Sequence, residues 1–319
     1  LLPGQPSIAT PTSSDGTVGK AEKKEASDDS LGSTLTSGKS NKRTTLETAV
    51  SLQQHTEWVS QDADKIEDIL DENGFDLVGD VLEGGKVLSG SQAYVATKDN
   101  TIEFAENVVT DLKARRIKMD FIDDSVRYAD VYQEIKVHKG FHNEYEAMRD
   151  TLFKYVNRHP GKELYVTGHS LGAALGILCS FDFSVHSGRE VTGYFSGSPR
   201  VGGADFRKAF EEAVPASYRI VVNKDPIPQV PGILTDYVHV GYLLKLYPNG
   251  VAVPPENILP ATSYAEAVAA LAYFSRHDRS QYKSSIEEPL SLCKDDENKC
   301  PTYPSIRGMA EAERRAASE

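Results

Sequence analysis

Ser170 stands in a run that could make it a nucleophile. Residues 164–176 read Leu-Tyr-Val-Thr-Gly-His-Ser-Leu-Gly-Ala-Ala-Leu-Gly, with a Gly-x-Ser-x-Gly pentad from Gly168 to Gly172 at the centre. The β-branched and aromatic residues before the pentad predict a strand, and the small residues Ala173 to Leu178 predict a helix. Strand, sharp turn and helix are the setting that lifts a serine hydroxyl clear of its own backbone for attack on a carbonyl. The glycines let the chain turn tightly without a Cβ clash. At ordinary Gly and Ser usage the bare pentad arises by chance in about one chain in ten of this length, so its flanks carry the signal.

A serine hydroxyl needs a base within hydrogen-bond reach, and the base needs a third group to orient it. Asp225 lies in Asn-Lys-Asp-Pro-Ile-Pro directly after the strand-like Arg219–Val222, with Pro226 and Pro228 stiffening the turn. That puts a carboxylate at the C-terminal end of a strand, where sites on parallel sheets gather. Its alternative reading is an Asp serving as a turn former. Two histidines follow, His239 and His277. His239 sits in the strand-like run Asp-Tyr-Val-His-Val-Gly and reads as a structural residue. His277 opens a polar helical stretch and is the choice for the base. Nucleophile, acid, base is the chain order of the serine hydrolases built on a parallel sheet.

Several elements must position these residues. Apolar residues from Leu46 to Leu70 suggest one or two amphipathic helices, stopped at Gly74. Strands are expected at Phe75–Leu82 and Gln92–Thr97, and a helix at Thr101–Arg115, with Ile102, Ala105, Val108, Val109 and Leu112 on one face. A further helix over Glu144–Arg158 ends near Pro160 and Gly161, and strands follow at Val191–Phe195 and Tyr218–Val222. Strands separated by helices predict an α/β class with a mostly parallel central sheet flanked by helices. Residues 1–43, rich in Ser, Thr, Gly, Lys and Asp, bury too little apolar surface to order and read as a disordered tail. Residues 44–290 form the expected catalytic-type domain, and 291–319 a C-terminal extension.

The 319 residues carry a net charge of −12, which argues against nucleic acid or strongly anionic membranes as the main partner. No stretch approaches the roughly 18 apolar residues of a transmembrane helix. Localisation is not legible, with secretion weakly favoured over the cytoplasm. Cys179 reads as a small buried hydrophobe. Cys293 and Cys300 flank a short polar loop, as a local disulfide or as two thiols. No metal site or cofactor is expected.

Beyond these residues the chain resembles the class 3 lipases, which include fungal triacylglycerol lipases. The segments Val137-His138-Lys139-Gly140-Phe141, Thr167 to Gly172, Gly197-Ser198-Pro199-Arg200-Val201-Gly202, Val222 to Pro226, His239-Val240-Gly241, and His277 with Tyr282 follow the family order. The resemblance implies an α/β-hydrolase fold, with Ser170 as nucleophile, Asp225 as orienting acid and His277 as base. His138 and His169 lie in these family segments, but both read as packing and hydrogen-bonding residues. The family's Arg-Gly-Ser/Thr oxyanion motif is matched only loosely by Val95–Thr101, so Asn100 or Thr101 is the expected side-chain donor beside the backbone N–H of Leu171. By position Thr101–Arg115 resembles the lid of fungal members, its alternative being a fixed amphipathic helix. The expected activity is hydrolysis of acylglycerols or other esters, with a lipid–water interface as an expected setting. Feruloyl-esterase or phospholipase A1 specificity stays open, as do an acyltransferase or peptidase using the same elbow. A non-catalytic protein binding a lipid or a partner on the same fold is the other alternative.

Overall fold

The computed structural model describes residues 40–83, 91–99, 101–108, 125–127, 135–231, 236–247 and 276–295. Two helices come first, α1 (Ser40–Trp58) and α2 (Ala63–Glu72). The short strands β1 (Asp76–Leu77) and β2 (Leu82–Glu83) lead into β3 (Ser91–Lys98) and β4 (Thr101–Val108). A small pair, β5 (Ser125–Arg127) and β6 (Lys136–His138), precedes α3 (Lys139–Val156). Then strands and helices alternate: β7 (Glu163–His169), α4 (Leu171–Ser187), β8 (Val191–Ser196), α5 (Ala204–Ala213) and β9 (Ala216–Val222). The strand β10 (Tyr242–Leu246) and the helix α6 (Arg279–Asp295) complete the order.

The main sheet runs β1-β3-β4-β7-β8-β9-β10, with β2 added alongside β3. From β4 to β10 every neighbouring pair is parallel, whereas β3 pairs antiparallel with β1, β2 and β4. A parallel sheet is covered on both faces, and its strands alternate between two cores. On β7, Leu164 and Val166 join one core with α3, α4 and α5, while Tyr165 packs on the other. On β8, Phe195 and Tyr194 divide in the same way. The second core unites Leu52 of α1 with Tyr282 and Ile286 of α6, so the helix that follows His277 is seated against the N-terminal helix. Lys283 adds an ion pair to Glu57 of α1 at 3.1 Å.

Helices α3 and α4 are joined through the buried carboxylate of Asp182. It accepts from the Tyr145 hydroxyl at 2.6 Å and from Arg149 Nε at 2.5 Å, and contacts His186 Nδ1 as well. A buried charge is tolerable only when donors satisfy it in this way. Cys179 is a fully buried thiol in α4. Cys293 falls within α6, and Cys300 lies outside the described residues.

Two expected elements are corrected. Phe75–Leu82 is not one strand but is split into β1 and β2 around Gly79, whose φ is 79°. The helix expected at Thr101 is the second. Residues 101–108 form a strand and not the first half of a helix: β4 pairs antiparallel with β3 from Lys98↔Thr101 onward and parallel with β7 from Thr101↔Glu163 onward. The apolar residues Ile102, Phe104 and Val108 fit a period of two as readily as Ile102, Ala105 and Val108 fit a helical face. Backbone pairing along both edges decides for the strand. The two-residue link Asp99-Asn100 was the available signal, since so short a polar turn between apolar runs marks a hairpin. Asp99 has a φ of 48°, the left-handed conformation such turns use. A helical lid over 101–108 is therefore excluded, and residues 109–115 lie outside the described residues.

Candidate active site

Ser170 stands between β7 and α4 with φ 60° and ψ −124°, a conformation that costs a non-glycine residue energy. The surroundings hold it there. Its N–H donates to the Ser196 carbonyl at 2.9 Å, and its own carbonyl accepts from Ala173 N at 3.1 Å. Gly168 makes the turn possible, because a Cβ at that position would lie 2.4 Å from the Gly172 carbonyl oxygen. Ser170 is partly exposed, so its hydroxyl is open to a substrate.

Asp225 follows β9 and is 2% exposed. Its Oδ1 accepts from the Ile227 N–H at 2.9 Å. Its Oδ2 accepts from His277 Nδ1 at 2.9 Å and from the Tyr282 hydroxyl at 2.5 Å. His277, 5% exposed, turns its other nitrogen to Ser170, with Nε2 2.7 Å from Oγ. The three side chains thus form one continuous hydrogen-bonded chain from Ser170 through His277 to Asp225. Gly197, with φ 60°, leaves room for it, since a Cβ there would lie 3.0 Å from His277 Cε1. Burial, reinforced by the adjacent Asp225 charge and the bond to it, pushes the Tyr282 phenol well above its usual pKa, so it donates throughout the neutral range.

His239 is engaged elsewhere, with its Nε2 donating to the Pro228 carbonyl at 2.8 Å. Leu171 opens α4, at the helix end where N–H groups lack carbonyls one turn back. Thr101 is not at this site, which corrects its assignment as an oxyanion donor. It pairs with Glu163 at the start of β7, whereas Ser170 follows the strand's far end. At roughly 3.3 Å per residue the two ends lie about 20 Å apart. Thr101 Oγ1 donates instead to the Lys98 carbonyl at 2.8 Å, closing the hairpin. Asn100 lies outside the described residues. The last pairing of β4 with β7 is Glu106↔Gly168, so the next residue, Asn107, stands level with the elbow.

Two buried imidazoles have a consequence for stability. Burial is the main cause that lowers the pKa of His169 and of His239 well below the usual histidine value, with positive neighbours (His277 and Arg279 for the first, Arg219 and Arg200 for the second) adding to it. The unfolded chain then binds more protons than the folded one, so stability is complete above the unfolded pKa of about 6.5 and is lost as pH falls below it. Calorimetry from pH 8 to pH 5 is expected to show Tm falling below about pH 6.5, each group steepening the slope by at most about 1.4 kcal/mol per pH unit. His239→Gln, which keeps a donor for Pro228, is expected to flatten that fall. A Tm that rises on acidification would contradict it.

Among the described residues no group of His, Cys, Asp or Glu side chains is arranged to hold a metal ion, and no helix is long and apolar enough to cross a membrane. Comparison with known proteins adds the relationship. The class 3 lipase family pattern matches residues 102–235. A secreted mono- and diacylglycerol lipase of Malassezia globosa is 35% identical over 135 residues, covering 40% of this chain and 44% of that protein. The secreted mono- and diacylglycerol lipase A of Penicillium camembertii is 33% identical over 128 residues, covering 39% of this chain and 40% of that one. The matches thus span less than half the length of these relatives. Among solved structures, native Rhizomucor miehei lipase in its propeptide complex superposes with a TM-score of 0.57 at 22% identity, over 76% of this chain and 80% of that one. A Rhizopus microsporus var. chinensis lipase gives 0.56 at 21%, over 76% and 90%. At that identity the superpositions speak for the fold alone, and the fold is the α/β-hydrolase. With its parallel strands and its elbow between β7 and α4, the chain is similar, over residues 102–235, to the class 3 lipase family.

Proposed function

We propose that this chain is a serine carboxylic-ester hydrolase that cleaves acylglycerols through an acyl-enzyme on Ser170. The observation that carries the reading is the unbroken chain from Ser170 Oγ to His277 Nε2 at 2.7 Å and from His277 Nδ1 to Asp225 Oδ2 at 2.9 Å. In this mechanism Ser170 Oγ attacks the ester carbonyl as His277 Nε2 takes its proton. Asp225 keeps the Nδ1 proton in place and stabilises the imidazolium. The tetrahedral oxyanion is met by the Leu171 N–H. Its collapse breaks the bond to the alcohol, which leaves with the proton from His277. Water, deprotonated by His277, then attacks the acyl-enzyme, and the carboxylic acid departs as Ser170 recovers its proton.

The substrate class rests on the similarity to proteins named as mono- and diacylglycerol lipases. Action at a lipid–water interface belongs to the same proposal. The loose match to the oxyanion motif at Val95–Thr101 does not favour the non-catalytic alternative, because Lys98 and Thr101 pair at the hairpin at the far end of the sheet. Incubation with a soluble butyrate ester and with emulsified diacylglycerol, alongside labelling by an active-site-directed organophosphonate, tests the proposal. Hydrolysis of both with a single label on Ser170 is expected. No hydrolysis and no label would overturn it.

By backbone register Asn107 is the β4 residue level with the elbow end of the sheet, and it is our candidate for a second oxyanion donor. Removing such a donor costs about 10²–10³ in kcat. Asn107→Ala is therefore expected to lose activity on that scale, and Thr101→Ala to stay within about twofold of wild type. Steady-state kinetics on the butyrate ester checks both. A large loss at Thr101 with none at Asn107 would reverse the assignment.

A further inference from the structure

One buried imidazole at the site has no part in the proton transfers above. His169, the last residue of β7, is 2% exposed and precedes the nucleophile. Its Nε2 lies 2.9 Å from the main-chain carbonyl oxygen of His277, and its Nδ1 lies 3.1 Å from Ser196 Oγ. Its ring lies against that of His277, with centroids 4.7 Å apart and planes 30° apart, and meets Tyr282 edge-on at 5.1 Å. A carbonyl oxygen only accepts, so Nε2 carries the proton. In the neutral ring Nδ1 is then an acceptor, and the donor it faces is the Ser196 hydroxyl, whose one hydrogen is shared between Nδ1 at 3.1 Å and the Gly168 carbonyl at 3.3 Å.

We propose that His169 is a positioning residue for the base: oriented by Ser196, its Nε2–H anchors the main chain of His277 and so sets that imidazole against Ser170. The proposal rests on the Ser170–His277–Asp225 reading. Its physical basis is that nucleophile and base come from distant parts of the chain, one after β7 and the other just ahead of α6. His169 ties the base directly to the residue beside the nucleophile, so both are referenced to one backbone. The loss of such a reference matters, because a misplacement of about 1 Å can cost 10²-fold in rate. The anchor also has to stay neutral. His277 becomes cationic during the reaction, and a second positive ring stacked on it would oppose that step. The groups that face His169 are His277, Arg279 and Tyr282 on and just before α6, and Ser196 on β8. Burial is the main cause that keeps it unprotonated, and the charge of Arg279, joined by that of the His277 imidazolium when it forms, adds to it.

The test combines three variants, kinetics on a soluble butyrate ester, and imidazole ¹⁵N NMR of the full chain. His169→Leu keeps bulk but deletes the donor, and is expected to lower kcat about 10–100-fold with KM changed by less than about twofold. His169→Gln, whose amide N–H replaces the donor, is expected to return kcat to within about fivefold of wild type. Ser196→Ala, which frees the ring to turn, is expected to give an intermediate loss. The NMR spectrum is expected to show His169 as the neutral Nε2–H tautomer from pH 5.5 to 8. Wild-type kcat in His169→Leu overturns the proposal, as does His169→Gln impaired as badly as His169→Leu. A His169 that titrates in that range, or carries its proton on Nδ1, also overturns it. Should His169→Leu fail to fold, the glutamine and Ser196 variants and the tautomer still decide. Absence of ester hydrolysis in the wild-type chain refutes the hydrolase reading instead, and the tautomer then judges the anchor by itself.

Discussion

Ser170→Ala is expected to lower kcat on a soluble ester by about 10⁶-fold while leaving the fold in place, the scale on which loss of the nucleophile acts in serine hydrolases. The hydroxyl is partly exposed and bonded to His277 Nε2, so its removal opens no cavity in either core. Alanine in place of serine still has to adopt the strained φ of 60°, so Tm is expected to change little. Phosphonate labelling is expected to disappear together with hydrolysis. Hydrolysis persisting near the wild-type rate would remove Ser170 from the mechanism.

Asp225→Asn is expected to cost about 10⁴ in kcat, a loss of the kind caused by the wrong imidazole tautomer. The geometry gives the reason. Oδ1 accepts from Ile227 N, and Oδ2 accepts from both His277 Nδ1 and Tyr282. An amide has only one oxygen. If that oxygen stays on Ile227, the new NH₂ faces His277 and draws the imidazole proton to Nε2, where it blocks acceptance of the Ser170 proton. If the amide flips, NH₂ meets the Ile227 N–H and the 3₁₀ turn at Ile227–Gln229 is disturbed. His277→Ala is expected to approach the Ser170→Ala loss, and the double variant with Ser170→Ala to cost little more than either alone, because the group acts as a unit. Additive losses measured across that cycle would mean that the residues act independently. A severe loss in His239→Ala at unchanged Tm, with His277→Ala still active, would transfer the role of base to His239.

Local features of the chain made much of this legible. The glycines flanking Ser170 and the switch from β-branched residues to small ones announced a strand, a turn and a helix, which the structure holds as β7 and α4. Short contacts along the chain govern such a turn: a Cβ at Gly168 would meet Gly172, four residues on. The strands β8 and β9 were readable for the same reason, through their β-branched and aromatic residues, although β9 also carries the buried Arg219. Asp225 was marked by its own local setting, the end of a strand followed by two prolines.

Only the tertiary structure decided the rest, because it depends on contacts between segments far apart in sequence. The run Thr101–Val108 satisfies two periodicities at once, and its pairing with β3 and β7 makes it a strand. That pairing also carried Thr101 to the end of the sheet remote from Ser170, which no spacing along the chain reveals. Two histidines lie beyond Asp225, and their order in sequence does not say which one reaches the serine. The Pro228 carbonyl holds the ring of His239, while the packing of α6 on α1 and the bond from His169 bring His277 to 2.7 Å from Ser170 Oγ. Residue types, turns and apolar periodicity are local properties of the chain and were set by the sequence alone. Which strand edge, and which imidazole, comes to face Ser170 is set by long-range packing, where burial and hydrogen bonding of one segment depend on another more than a hundred residues away.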